Sequence, residues 1–206
     1  MAASVRKTEG NTLSVFSANT HKDECPFRVI VSERGTWQRH FSTFLQKSLS
    51  SIEVDDPCLV RKPHVVDEFL LTPRPKNVRG FSEDVMDLFY SLQQKLVCEE
   101  VSACIDRYGA VRFQNACVLS ADSFMELLPY YFTATLISHQ GNMFIEKEGI
   151  CIGSSLALIL SDMLLARYDR SLMAALKPTN TTKVYRYVDD YLVLYQLTDE
   201  HQEKFR

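Results

Sequence analysis

Two aspartates, Asp189 and Asp190, stand together inside "YRYVDDYLVL", residues 185–194, a run that is otherwise apolar, aromatic or basic. Such a pair permits two readings. Asp tolerates the conformations of tight turns, so the pair could simply close a hairpin. Alternatively, the carboxylates are ligands for a hard divalent cation, which takes oxygen donors. A third acid, Asp84 in "SEDVMDLFY", lies in another strand-like segment, with Val85 next to it and Phe89 five positions on. Alone, Asp84 beside Glu83 is what any solvated strand carries. A third piece is "EGICIGSS", residues 148–155, where Gly149 and Gly153 are followed by Ser154 and an apolar run. Glycines let backbone approach a ligand, and a following helix N-terminus favours an anion. The plainer reading is a loop-to-helix turn with a close packing contact.

Together the three pieces fit one chemistry. Mg²⁺ is held by a few carboxylates plus the phosphates of a substrate. Two such ions roughly 3.5–4 Å apart can activate an attacking hydroxyl and stabilise a leaving pyrophosphate. Two unpaired carboxylates about 4 Å apart repel by roughly 4 kcal/mol at an effective dielectric of 20, a penalty that a dication removes.

The elements that must position these groups follow from patterning. Phe27 to Val31 reads as a short strand next to Lys22 and Arg28. Trp37, Phe41, Phe44, Leu45, Leu49 and Ile52 recur at helical spacing. "LTPRPKNVRG" is a basic, proline-rich loop and the candidate subdomain boundary. "FSEDVMDLFYSL" reads as a strand, with Asp84 inside it, that runs into a helix with Ser91 as N-cap and an end near Asp106. "LSADSFMELLPYYFTATLI" reads as a helix broken at Pro129, and "GNMFIEKEG" as a hairpin. "GSSLALILSDMLLARYDRSLMAAL" reads as a long buried helix. "KVYRYV" and "YLVLYQL" are two strands joined at Asp189–Asp190. Strands and helices are interspersed without strict alternation, so the expected fold class is α+β.

Composition narrows the class. The 206 residues suffice for one large domain or two small ones, and 46% apolar content supports a real core. With 7 Gly and 7 Pro, no low-complexity linker stands out. The start, "MAASVRKTEG", has no apolar core. The most apolar window is interrupted by Gly149, Gly153 and Asp162 and falls short of a membrane span. The 6 cysteines form no CxxC pair and read as buried thiols of a reducing compartment. These features predict an intracellular chain without a membrane. The net charge of −3 argues mildly against a nucleic-acid binder. Residues 1–80, however, carry 12 Lys and Arg against 9 Asp and Glu, while residues 81–206 carry 11 against 17. A phosphate-gripping part joined to a metal-binding part would look like this.

The ordered blocks also resemble a known family. D-V-x-D-x-F at 84–89, G-x-x-x-G-S at 149–154 and Y-V-D-D at 187–190 are similar to motifs A, B and C of reverse transcriptases. "THKDECPFRVIVSERGTWQRHFSTFLQKSL" resembles the corresponding upstream stretch of Penelope-like retroelements, relatives of telomerase. The resemblance runs from about residue 19 to about residue 196. It implies an RNA-directed DNA polymerase with right-hand architecture: fingers in residues 1–80 and a palm in 81–206, with 108–147 either palm or a return to the fingers. The reaction implied is transfer of a deoxynucleotide from a dNTP to a primer 3′-hydroxyl, with two Mg²⁺ ions, or Mn²⁺ in their place. The partners implied are an RNA template and a DNA primer, and the location implied is nuclear; oligomeric state stays open.

Residue by residue, the resemblance makes Asp84, Asp189 and Asp190 catalytic carboxylates and Val85 a backbone metal ligand. Lys22 and Arg28 would grip the triphosphate, Arg28 through a bidentate guanidinium. Phe89 would lie under the sugar and exclude a 2′-hydroxyl. Gly149, Gly153 and Ser154 would lie along nucleotide and template, and Tyr187 near the primer terminus. The chain departs from the family after Gly153-Ser154, where two prolines are lost. Only 16 residues follow Asp190, so the expectation is fingers and palm without a thumb. The rival expectations are a catalytically inactive retroelement relic that binds nucleic acid or protein, an RNA-dependent RNA polymerase, and an α+β domain whose acidic turn holds no metal.

Overall fold

The computed structural model describes residues 12–18, 27–62, 64–71, 77–177, 179 and 181–196, with side chains omitted at 12–18, 27, 28 and 182. The chain divides into two interleaved compact units, one of residues 1–53 and 89–161, the other of 54–88 and 162–206.

The first unit holds strands β1 (Thr12–Ala18) and β2 (Phe27–Ser32) and helix α1 (Trp37–Leu49). After the return of the chain it holds the short helix α3 (Leu88–Ser91), then α4 (Gln94–Tyr108), α5 (Ala110–Cys117) and α6 (Ala121–Ala134). Strands β4 (Leu136–His139) and β5 (Asn142–Ile145) complete it. Its sheet runs β2-β1-β4-β5, antiparallel except for the parallel β1–β4 pair. A hairpin is present, but at 136–145 rather than at the expected 141–149: its first strand takes the end of the segment read as helix, and residues 146–149 lie outside any strand. Gln140 and Gly141 both take positive φ, the mark of a tight two-residue hairpin turn. Phe113 and Phe124, both fully buried, meet edge-on at 5.0 Å where α5 packs on α6.

The second unit is a three-stranded antiparallel sheet with helices from both sides of the sequence. It contains α2 (His64–Leu71), β3 (Val78–Asp84), most of α7 (Ala157–Leu176), β6 (Thr181–Tyr187) and β7 (Asp190–Gln196). The strand order is β3-β7-β6. Tyr185, Leu194 and Val60 form a buried cluster, joined by Phe69 of α2, whose ring meets Tyr185 at 5.5 Å. By register, Tyr185 and Leu192 share one face of the sheet, while Arg186 and Tyr191 share the other.

The α+β expectation holds, and several local expectations change. Ser91 is the last residue of α3 rather than an N-cap, and Gln93 precedes α4 without a capping side chain. Asp87, at φ 51, turns the chain between β3 and α3, so strand and long helix are not continuous. Pro129 does not break its helix, because α6 runs through it. Pro129 is solvent-exposed, so water can take the carbonyl its ring leaves without a donor. In α1 the buried face is Leu45 and Leu49 with Gln38, Ser42 and Ser48, and Trp37 and Phe44 are exposed. Ser42 turns that face inward by donating to the buried Glu33 Oε2 at 2.6 Å. The long helix α7 is buried chiefly along its first half, as far as Ala166. Cys58, Cys104, Cys117 and Cys151 are buried free thiols, and Cys98 is half-buried. Among the described residues no helix is long and apolar enough to cross a membrane.

Candidate metal site

The hairpin of β6 and β7 is tighter than its sequence suggests. Tyr187 pairs with Asp190, so the two turn residues are Val188 and Asp189, and Asp190 already belongs to a strand. Val188 takes φ 58. This is the left-handed region, where a β-branched residue is a genuine outlier. The first position of such a turn ordinarily goes to glycine, and strain of this kind clusters at working sites.

The sheet register brings the three aspartates together. Asp84, the last residue of β3, lies directly opposite Asp190. The chain then leaves the strand, and the Val85 N–H donates to the Asp189 carbonyl at 2.9 Å. Tyr187, Asp190 and Asp84 therefore fall in one row across three strands, with Asp189 and Val85 beside them. Asp84 and Asp190 are exposed and Asp189 is half-buried. Partial burial, then the charges of Asp189 and Asp84, raise the Asp190 carboxyl above its ordinary range. Opposed like charges destabilise a sheet. Three oxygen donors whose charges work against one another fit a hard divalent cation.

A tighter cluster lies in the same unit. Among the described residues, the group whose ligand atoms all lie within 4.8 Å of one another is Asp56, Cys58 and Asp169, while the three site aspartates are more widely spaced. The tighter cluster is already bridged from within by one guanidinium, which leaves excess negative charge. Arg186, fully buried, donates through Nε to Asp169 Oδ2 at 2.7 Å and through its two terminal nitrogens to Asp56 Oδ2 at 2.6 Å and Asp162 Oδ1 at 3.2 Å. Tyr191 donates to the other Asp169 oxygen at 2.5 Å. Burial, then the charges of Asp169 and Asp56, push the Cys58 thiol up to about 12.

Sequence reasoning missed this arginine knot. The signal was present: a basic residue within an apolar strand, and Asp162 and Asp169 seven positions apart on an apolar helix. Burial raises the Asp162 and Asp169 carboxyls, against the pull of Arg186. Burial opposes the Arg186 charge as well, but its hydrogen bond to Asp169 and the neighbouring carboxylates outweigh it and raise its pKa.

The other predicted residues belong to the first unit. Phe89 is half-buried in α3, and its carbonyl accepts from the Ile150 N–H at 2.8 Å. Gly149, at φ 77, leaves no room for a side chain: a Cβ there would lie 2.8 Å from the carbonyl oxygens of Phe89 and Tyr90. Gly153, at φ 98, lies against the Val31 carbonyl, 2.6 Å from where a Cβ would be. The chain's own backbone thus takes the space that each glycine provides. Ser154 is buried and shares a 2.7 Å hydrogen bond with Tyr131, which also donates to Glu33. Burial, then the Glu33 charge, raises the Tyr131 phenol well above its ordinary value. Arg28 lies in β2 opposite Ser17, with its side chain outside the described residues, as is all of Lys22.

No protein-family model and no curated protein matches the chain. Solved structures do. Telomerase from Candida tropicalis in complex with a fragment of telomeric RNA superposes with a TM-score of 0.65 at 15% identity, over 98% of this chain and 38% of that one. Apo telomerase from the same organism, truncated from its C-terminal domain, gives 0.65 at 16% identity over 99% and 46%. An RNA polymerase complex inside a double-stranded RNA virus gives 0.56 at 12% identity over 95% and 19%. The chain spans less than half the length of these proteins. The fold is polymerase-like.

Proposed function

We propose that the chain carries the catalytic part of an RNA-directed DNA polymerase of the Penelope-like type, with nucleotidyl transfer at Asp84, Asp189 and Asp190. The observation that carries this reading is the register that sets Asp84 opposite Asp190, with Asp189 in the adjoining strained turn. The three carboxylates, with the Val85 carbonyl, would hold Mg²⁺, which supplies Lewis-acid stabilisation of the transferring phosphoryl group and activates the primer hydroxyl. Lys22 and Arg28 would bind the triphosphate of the incoming dNTP. Phe89 would exclude a 2′-hydroxyl, and Tyr187 would orient the primer terminus. Gly149, Gly153 and Ser154 would shape the floor beneath nucleotide and template. In this reading residues 1–80 belong to the fingers and 81–206 to the palm, with 108–147 either palm or a return to the fingers.

A second reading, an RNA-dependent RNA polymerase, is favoured by the likeness to viral RNA polymerases. Primer extension on an RNA template separates the two. Incorporation of dNTPs over NTPs, relaxed by Phe89→Ala and abolished by Asp84→Asn, supports the first. Preference for NTPs supports the second. No incorporation of either by the chain contradicts both and leaves the relic reading.

A further inference from the structure

The knot around Arg186 reaches the proposed site through one further bond. The terminal nitrogen that meets Asp162 also donates to the Val188 carbonyl at 3.0 Å. That carbonyl belongs to the strained residue of the turn and is bonded directly to the Asp189 nitrogen. Backbone bonds fix the arginine itself: its N–H donates to the Cys58 carbonyl at 2.7 Å, and its carbonyl accepts from Val60 at 2.8 Å. Asp169 and Asp56 hold the other arms of the guanidinium, and both are themselves almost fully buried in side chain. A planar, five-donor fork fixed at two arms aims its third with little freedom.

We propose that Arg186 is a positioning residue that holds the Val188–Asp189 turn in its strained conformation and so sets the affinity of the Asp84–Asp189–Asp190 site for divalent metal. The proposal rests on the polymerase reading above. Left to its own preferences, a valine would leave positive φ, and Asp189 would turn with it. The guanidinium supplies the countering interaction from beneath the turn, while the carboxylates stay on the exposed side. Asp162 shares the donating arm and steadies its direction. Lysine cannot do the same. Its ammonium keeps the charge, but as a point it cannot span Asp169, Asp56 and the Val188 carbonyl together.

The test is direct Mn²⁺ binding by the full chain, read from the loss of the free-ion electron paramagnetic resonance signal, together with the Mg²⁺ dependence of primer extension, both measured below the melting temperature of each variant; the two readouts should shift together. Arg186→Lys is expected to raise the Mg²⁺ concentration for half-maximal extension roughly tenfold, the scale of losing a partner that orients metal ligands. Extension at saturating Mg²⁺ should largely recover. Val188→Gly in the Arg186→Lys background should restore most of the Mg²⁺ affinity, because glycine adopts positive φ unaided. A merely structural arginine would not be rescued in this way. An unchanged Mg²⁺ requirement in Arg186→Lys, or a deficit that Val188→Gly leaves untouched, overturns the proposal. If circular dichroism shows that Arg186→Lys does not fold, Asp162→Asn takes its place. It keeps an acceptor of the same shape on the same arm and should raise the requirement in the same direction; no rise overturns the proposal. Absence of extension by the wild-type chain is a different result, which removes the polymerase reading itself and this proposal with it.

Discussion

Neutralising one site aspartate should make the metal-free protein more stable. Asp190 faces Asp84 directly across the strands and adjoins Asp189. Opposed residues on an antiparallel pair have Cβ atoms roughly 4.5–5.5 Å apart. Two unit charges 4 Å apart in water interact by about 1 kcal/mol, and the exposure of Asp84 and Asp190 keeps the dielectric near that limit. Screening by salt lowers each term to about 0.5 kcal/mol, so the two neighbours together cost about 1 kcal/mol. Asp190→Asn removes both terms and preserves shape. For a chain of this size, 1 kcal/mol moves the melting temperature by roughly 2–4 °C. Thermal denaturation in EDTA should therefore show Asp190→Asn melting higher than wild type by about that amount. Mg²⁺ should reverse the order, since a ligand at a hundred times its dissociation constant stabilises by about 2.7 kcal/mol only the protein that binds it. A variant that melts lower than wild type in EDTA, or equal Mg²⁺ shifts in both proteins, would refute the reasoning.

Other outcomes follow from individual contacts. Asp189→Asn should abolish primer extension while leaving the circular dichroism spectrum unchanged. Gly149→Ala should destabilise by about 2 kcal/mol or more in urea unfolding, because strain at positive φ is joined by a clash with two fixed carbonyls. Gly141→Ala, at φ 80 with nothing within 4 Å, should lose only about 1 kcal/mol. Burial raises the Glu146 carboxyl above its ordinary 4.5, so the folded chain holds that proton longer than the unfolded one. The resulting cost is absent at pH values below 4.5 and grows as pH rises through the folded value. Glu146→Gln should accordingly match wild type in acid and exceed its stability at neutral pH, as read by urea unfolding at a series of pH values.

The candidate acids could be picked out because carboxylate chemistry depends on residue type and spacing. Asp84, Asp189 and Asp190 were visible by residue type, and the register sets Asp84 opposite Asp190, with Asp189 next to it in the chain. The position of the turn was not legible. Asp is a common turn residue and Val is not, so the pair was placed at the tip, whereas Val188 occupies its first position. The arginine knot escaped because its members lie at 56, 162, 169, 186 and 191, and only the fold brings them together. The face of α1 was misjudged for a related reason. Aromatic residues set the apparent stripe, but the buried Glu33 draws Ser42 inward instead. Pro129 shows the limit of a propensity rule, since a helix tolerates proline on an exposed face when its buried side, here Phe124, Leu128, Tyr131 and Phe132, is well packed.

The central claim is that Asp84, Asp189 and Asp190 together hold a divalent ion. Titration of the chain with Mn²⁺, followed by the loss of the free-ion electron paramagnetic resonance signal, tests it directly. The account predicts saturable binding by the wild-type chain, displaced by Mg²⁺, and lost in both Asp84→Asn and Asp189→Asn. Binding that survives unchanged in those two variants would contradict it.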